Sequence, residues 1–573
     1  MELKQVTPFL SVSSQLQAAD LAELAARGFK SVVNNRPDGE ADDQITSQVL
    51  SKAAADAGLE YRALPVVPGK ISDDDVGEFA RLLESLSGPV LAFCRTGTRS
   101  ITLWALNEAR HLELDVIVAT AGKLGYDLEN LRPRLQERYS QAHQNRKTPQ
   151  GSRSIQHTYD VVIVGGGAGG LATAASLLRR RQDLDIVVVE PNTHHYYQPG
   201  WTMVGAGVFS ASQTERKIAA VLPNRVKWLH TAVAGFEPED NAVVLEDGER
   251  LRYRSLVASP GLRLNWHEVD GLVETLGQHG VTSNYSYDTA TYTWECVQNL
   301  KSGRAVFTQP PMPIKCAGAP QKAMYLSCDY WQRTSRQSDI DVGFYNAGAV
   351  LFGVETYVPA LMRYVQRYNA HLNFQHNLVA VDGPAGKAWF DVSAEGEEKR
   401  RIEVAFDMLH VAPPQGPHRF MKNSPLANEQ GWMSVDQQTL QHTQYANIFG
   451  LGDGCSAPNA KTAAAVRKQA PVVAENLLAA LDGKTLAHEY DGYGSCPLTV
   501  ERGKVVLAEF GYGGKLLPSF PGWLLNGAKP SRMAWFFKER LLPPIYWELM
   551  LRGHEWLAEP QKIQREDLRE ATP

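Results

Sequence analysis

Tyr159-Asp-Val-Val-Ile-Val-Gly165-Gly-Gly167-Ala-Gly-Gly170-Leu-Ala-Thr-Ala-Ala-Ser176 is the stretch on which the fold turns. Its apolar, β-branched start reads as a buried strand, and its alanine-rich end reads as a helix. The glycine spacing between them has a physical reason at each position. Gly165 permits a tight turn, Gly167 lets a pyrophosphate approach the backbone, and Gly170 packs the helix against the strand. The free N–H groups and positive dipole end of that helix suit phosphate. A second strand, Ile186–Val189, ends in Glu190, at the spacing of a ribose-binding carboxylate. The uncharged run 161–178 is nominally long enough to span a bilayer, but a phosphate loop explains its glycines better, and no transmembrane helix is expected.

The 573 residues are too many for one domain, and 43% hydrophobic with 21% charged residues describes a globular chain. With 58 basic against 63 acidic residues the formal charge is −5, which argues against a dedicated nucleic-acid binder. Six cysteines in this length cannot form a disulfide scaffold, and no metal site is assigned. The N-terminus lacks a basic start followed by an apolar core, so no secretory signal peptide is expected.

Two later segments bear on the cofactor. Tyr445-Ala-Asn-Ile-Phe-Gly450-Leu-Gly-Asp453, before a helix from about Lys461, resembles the second FAD motif of flavoproteins with two dinucleotide domains. Val257-Ala-Ser-Pro-Gly261 resembles their short middle motif. That resemblance implies FAD, with Asp453 on the ribityl chain and Gly261 and Lys461 beside the cofactor. Taken alone, Asp453 could equally be a helix cap. A second glycine fingerprint, which nicotinamide-using relatives carry, is missing. The strand Arg304–Thr308 leads into Gln309-Pro-Pro-Met-Pro-Ile-Lys315-Cys316-Ala-Gly-Ala-Pro-Gln, where proline, lacking an N–H, replaces glycine and a cysteine has entered.

Pro313-Ile-Lys-Cys-Ala-Gly-Ala-Pro-Gln-Lys, Lys461-Thr-Ala-Ala-Ala-Val and Asp491-Gly-Tyr-Gly-Ser-Cys-Pro resemble the mitochondrial-type branch of the sulfide:quinone oxidoreductases, over about 157–556. The resemblance implies that Cys316 and Cys496 flank the flavin and take up sulfide as a persulfide. It also implies sulfide and quinone as substrates, with a low-molecular-weight thiol such as glutathione as sulfur acceptor. Two-electron oxidation of HS⁻ needs a disulfide or equivalent sulfur electrophile that the anion can open. Lys315 or Lys322 could lower a thiolate pKa electrostatically, and either could be a solvated surface residue. Cys455 is read as a small loop residue, and Cys296 and Cys328 as helical core.

The C-terminus is rich in Trp, Phe, Tyr and Pro. Between Lys529 and Arg552 it holds five basic and two acidic residues, a local +3. This suits an amphipathic helix lying in the headgroup region and admitting quinone, with an aromatic core or the seam of a homodimer as the plain alternatives. The implied location is peripheral or monotopic, on the cytoplasmic side of the inner membrane. At the other end, Phe93-Cys94-Arg-Thr-Gly-Thr-Arg99-Ser follows a strand and precedes a helix, a setting that favours a thiolate. With Ser31-Val-Val-Asn-Asn-Arg36-Pro-Asp-Gly it resembles the dual-specificity phosphatase scaffold. Four residues separate Cys94 from Arg99, one fewer than in those phosphatases, which is the rhodanese-like count. Over about 1–135 the region resembles the phosphatase-like sulfurtransferase domain of the beta-lactamase-hydrolase-like family. Cys94 and Arg99 are then the catalytic candidates, and Asp73–Asp75 are read as helix caps rather than a general acid.

The fold expected is α/β throughout: a phosphatase-like sulfurtransferase domain at 1–140, a linker at 141–156, and a tandem Rossmann-like FAD oxidoreductase. In the latter, FAD-binding parts fall at 157–272 and 386–489, and a second dinucleotide-type domain without a nicotinamide motif at 273–385. A membrane-associating helical region follows at 490–573. Competing readings are a type II NADH:quinone dehydrogenase, disfavoured by the absent second fingerprint, and a phosphatase joined to a redox-sensing flavoprotein.

Overall fold

The computed structural model describes residues 3–7, 10–41, 44–86, 89–110, 114–144, 157–393 and 399–563. The chain divides into two compact units, Met1–Ser152 and Arg153–Pro573. In the first, five strands are ordered Leu3–Gln5, Leu10–Ser13, Val90–Phe93, Ser31–Asn34, Glu60–Ala63, parallel except for the first pair. The central strand is buried throughout because strand alternation serves two cores. Val90 and Ala92 meet Phe79, Ile101 and Trp104, whereas Leu91 and Phe93 meet Leu21, Leu24 and Leu50. Cys94 follows directly at the C-terminal end of this strand, where open parallel sheets place their ligands.

Ser72 caps the helix Asp73–Ser85 in a reciprocal pair. Its hydroxyl accepts from the Asp75 N–H at 3.1 Å, and the Asp75 carboxylate accepts from the Ser72 N–H at 2.7 Å. Asp73 is held by Arg134 and Arg138. Two of the three aspartates are thereby engaged structurally. The helix after the thiol loop is Thr98–Glu108, starting two residues earlier than the Ser100 its pattern suggests and taking Arg99 into its first turn. The helix Arg132–Gln144 runs into the stretch expected as linker, and the rest of that linker, 145–156, lies outside the described residues.

In the second unit the fingerprint strand Thr158–Val164 lies between Ile186–Val189 and Arg250–Ala258. The latter pairs in parallel with Thr158–Val164 on one side and Ile448–Gly450 on the other, so Val164, Ala258 and Gly450 share one level. Three chain segments far apart in sequence therefore leave the sheet together at Gly165, Ser259 and Leu451. A second, all-parallel sheet is ordered Val281–Thr282, Met408–His410, Gly303–Gln309, Ile340–Asn346, His371–Phe374. Its second strand lies beyond residue 385, and the meander His376–Asp382, Lys387–Val392, Arg400–Ala405 spans that position. The central body accordingly extends to about His410.

The hairpin Gly494–Glu501/Lys504–Phe510 packs one face on the helix Ala319–Arg333, placing Cys496, Leu498 and Val506 in a core with Phe307, Met324 and Trp331. Its other face, with Val505 and Leu507, meets Leu525, Ala534 and Trp535. The final helical path, 532–552, widens into π-turns at 537–541 and 545–549, around Pro543 and Pro544, which cannot donate backbone hydrogen bonds. Tyr546, Trp547, Met550 and Leu551 are buried against the FAD-type core, and Arg180 of the fingerprint helix is paired with Glu555. This segment is part of the body, not a detachable surface helix. Among the described residues no helix is long and apolar enough to cross a membrane.

Candidate functional site

The fingerprint loop is as tight as its glycines require. Gly165 has φ 100°, and a Cβ there would lie 2.3 Å from the Ser259 carbonyl oxygen; one on Gly170 would lie 1.9 Å from that of Gly165. A Cβ on Gly167 or Gly261 would meet nothing within 4 Å, so both backbones face open space. Glu190 accepts from the Gly166 N–H at 2.8 Å and from Asn192 at 2.8 and 2.6 Å. It thus ties the loop down while Oε2, with one bond, keeps acceptor capacity. Lys461 turns its ammonium to the carbonyls of Asp453 and Cys455, at 2.7 and 3.0 Å, and props the loop that carries Asp453. Burial pushes the Asp453 carboxyl above its ordinary range.

These groups line one cavity of about 610 Å³. Trp201 Nε1, Thr202 Oγ1 and the Asn284 side-chain amide are buried along its wall with no partner among the described residues. Buried polar groups are seldom left unpaired, so the cavity calls for a polar ligand. A phosphate cradle with a ribose-type carboxylate bonded to it, and an unpaired polar wall in the same cavity, fit a flavin dinucleotide.

Cys316 lines the same cavity, and the buried Cys496 sulfur lies 4.0 Å from the Cys316 sulfur. Cys316 stands in the left-handed region (φ 49°) just ahead of the helix Ala319–Arg333, where the dipole favours a thiolate. Its N–H is bound by the Lys461 carbonyl and its carbonyl by the Tyr285 hydroxyl and Ala319 N–H. Gly318 is required because a Cβ there would sit 2.5 Å from the Cys496 sulfur. Lys322 Nζ donates to Cys316 Sγ at 3.1 Å. The facing Cys496 thiol and then Lys322 hold Cys316 well below the usual thiol range, while the adjacent Cys316 thiolate and burial push Cys496 well above it. The pair thus shares one proton, with the charge on Cys316.

The sequence left Lys315 and Lys322 equivalent; the structure separates them. Lys315 reaches Gln198 Oε1 at 2.6 Å, and burial lowers its pKa to about 8. Lys538 carries a further correction. Counted by composition with the basic surface face, it is buried, donates to the Pro497 carbonyl at 3.2 Å, and is lowered to about 7 by burial and by Lys322. Its spacing from buried Ala534 and Trp535 was the signal. Cys455 is buried and donates to the Gly452 carbonyl, and burial raises Cys296, Cys328 and Cys455, as suits unreactive thiols.

In the N-terminal unit the Gly97 N–H points at Cys94 Sγ, 3.2 Å away. Gly97 (φ 86°) caps the helix that follows, and a Cβ there would collide with the Tyr126 hydroxyl. Arg99 is buried and clamps Glu40 through both terminal nitrogens, at 2.6 and 2.8 Å, while Arg36 holds the same carboxylate at 2.9 Å. The structure thus sets Arg99 at the loop base, oriented by Glu40.

Comparison with known proteins agrees with this geometry. The family description "Pyridine nucleotide-disulphide oxidoreductase" matches residues 159–295, and "Beta-lactamase hydrolase-like protein, phosphatase-like domain" matches residues 2–111. A "Sulfide:quinone oxidoreductase, mitochondrial" of Dictyostelium discoideum is 43% identical over 367 residues, which cover 64% of this chain and 79% of that protein. A "Beta-lactamase hydrolase-like protein" of Agrobacterium fabrum is 38% identical over 109 residues, 19% of this chain and 25% of that protein. The sulfide:quinone oxidoreductase structure from Aquifex aeolicus shares the fold, with a TM-score of 0.58 at 18% identity over 69% of this chain and 91% of that one. The chain belongs to the sulfide:quinone oxidoreductase family and is fused at its N-terminus to a beta-lactamase-hydrolase-like, phosphatase-like domain.

The Lys322 contact yields a prediction. In reduced protein, Lys322→Met should move the onset of iodoacetamide alkylation of Cys316 to higher pH, and below that onset each pKa unit is about tenfold in thiolate and so in rate. Mass spectrometry of the Cys316 peptide measures this, and an unchanged rate contradicts it.

Proposed function

We propose that the second unit oxidises sulfide with FAD, passes the electrons to quinone and gives the sulfur to a low-molecular-weight thiol such as glutathione. The observation that carries this reading is Cys316 on the wall of the dinucleotide cavity, its sulfur 3.1 Å from a buried lysine and 4.0 Å from the Cys496 sulfur. That gap is about twice an S–S bond of roughly 2.05 Å, and the oxidised pair is read as the same two sulfurs joined. In the oxidised pair, HS⁻ attacks the Cys496 sulfur, forming a persulfide there and expelling the Cys316 thiolate. Lower-pKa thiols leave faster, and Lys322 stabilises the charge that appears. The acceptor thiolate then takes the outer sulfur, leaving Cys496 as thiolate. Re-forming the disulfide from the two thiolates releases two electrons. FAD, when bound, accepts such a pair and hands it on to quinone. Gly165, Gly167, Gly170, Glu190 and Gly261 would hold its nucleotide half, and Asp453, braced by Lys461, its ribityl chain.

The same reading takes residues 490–573 as the quinone and membrane side. Trp523 is 85% exposed, Leu524, Phe536, Trp556 and Leu557 are exposed too, and Arg540 of the same terminal segment is exposed as well. Apolar side chains left in water together with basic ones suit peripheral attachment to an anionic surface, on the cytoplasmic face of the inner membrane. For the first unit we take Cys94 as a sulfane-sulfur acceptor, its sulfur met by the Gly97 N–H, with Arg99 setting the loop's shape.

Cys316→Ser and Cys496→Ser should each retain flavin yet lose more than about a hundredfold of sulfide-dependent quinone reduction; full activity in either variant contradicts the assignment. Because the terminal segment is packed into the body, truncation would damage the fold, and surface changes test the membrane side instead. Trp523→Ser with Phe536→Ser should weaken liposome co-sedimentation at least about tenfold, since each ring forfeits about 1.5–3 kcal/mol on burial; undiminished pelleting contradicts it. Cys94→Ser should abolish sulfur transfer from thiosulfate or glutathione persulfide and spare quinone reduction. Hydrolysis of p-nitrophenyl phosphate by the parent protein without any sulfur transfer contradicts that role.

A further inference from the structure

Quinone reduction consumes two protons as well as two electrons, and the thiol pair supplies none of those protons at the quinone. Part of the same cavity is walled by Leu507, Phe520, Phe537 and Ile545, an apolar slot suited to a quinone ring. One end of it is not apolar. Glu509, only 5% exposed, projects from the hairpin strand Lys504–Phe510 and lines the cavity with Tyr493 and Ser519. Tyr493 donates its hydroxyl to Glu509 Oε1 at 2.6 Å, and the Ser519 hydroxyl donates to the same oxygen. The Ser519 N–H reaches Glu509 Oε2 at 3.2 Å, and the Tyr493 and Ser519 hydroxyls are themselves 3.2 Å apart. Ser519 is exposed, so this network joins solvent to the slot.

Placing a carboxylate in an apolar wall is costly unless it is paired, yet no Lys or Arg forms an ion pair with Glu509 among the described residues. Neutral donors alone hold it. A carboxyl bonded by two hydroxyls that also meet each other is joined to groups that can themselves carry a proton, the geometry a relay needs.

We infer that Glu509, with Tyr493 and Ser519, delivers the protons that quinone reduction consumes. This rests on the sulfide:quinone reading and adds the proton side to it. As two electrons from the reduced flavin enter the ring, each carbonyl oxygen becomes a hydroxyl. The proton for one comes from Glu509 through the Tyr493 hydroxyl; Glu509 is then reprotonated from water at Ser519 and serves the second. Two electrons and two protons convert quinone to quinol, and the sulfide half-reaction supplies the electrons.

The test separates the two half-reactions by anaerobic stopped flow on the full-length holoenzyme. Sulfide should bleach the flavin at the wild-type rate in Glu509→Gln and Tyr493→Phe. Reoxidation by a water-soluble short-chain benzoquinone should slow about a hundredfold in Glu509→Gln, the scale of a lost general acid. Formate, a small diffusible acid, should restore part of that rate, as should Glu509→Asp. Normal bleaching with wild-type reoxidation in both variants overturns the proton route. So does slowed reoxidation that neither formate nor Glu509→Asp relieves, because that marks a structural role. A wild-type flavin that sulfide fails to bleach is a different failure and overturns the sulfide reading beneath it.

Discussion

An ammonium group inside a protein must find negative charge, and here it finds a sulfur. Lys322 is 3% exposed, and its Nζ lies 3.1 Å from Cys316 Sγ. Burial alone would neutralise such a lysine, whereas the adjacent thiolate holds it charged, above its ordinary range. The reciprocal effect keeps Cys316 ionised and leaves Cys496 with the proton. In the proposed reaction this contact, together with the facing Cys496 thiol, favours Cys316 as the sulfur that departs. It also explains why the surrounding backbone is so constrained. Cys316 takes a left-handed conformation and Gly318 tolerates no side chain, so that the hairpin can bring Cys496 alongside.

The hairpin Gly494–Glu501/Lys504–Phe510 does a double task that follows from strand alternation. One face carries Cys496 into the core of the central domain; the other carries Leu507 and Glu509 toward the apolar slot. Sulfur chemistry and the proposed quinone chemistry are therefore separated by the thickness of one strand. The terminal segment closes this region from outside. Its Tyr546 hydroxyl meets His195 Nε2 at 2.7 Å, while Nδ1 of the same ring faces the Gly166 carbonyl and so must carry the proton. Because that carbonyl belongs to the fingerprint loop, the C-terminal residues brace the cradle in which the fold begins.

Much of this was legible in the residues. The glycine spacing located the cradle, because the steric reasons for Gly165 and Gly170 are local. The six cysteines sorted themselves largely through the loops and helices that hold them. Other features depend on tertiary geometry. Lys315 and Lys322 both neighbour Cys316 in sequence, and only the early start of the helix at Ala319, which Pro320 signals, turns Lys322 back onto the sulfur. Lys538 was counted as a surface charge because net charge carries no direction. The central domain reaches past 385 because its last strand, Met408–His410, returns after the meander, and strand order is not written in local pattern. Glu509 gave no local signal, since an acidic residue in a strand usually faces solvent.

In the proposed reaction the electrons entering the flavin come from sulfide through the paired thiols, not from a nicotinamide. Anaerobic titration of the holoenzyme, followed by the flavin's visible absorbance, tests this most directly. Bleaching by sulfide with none by NADH is the predicted result; bleaching by NADH with none by sulfide would contradict it.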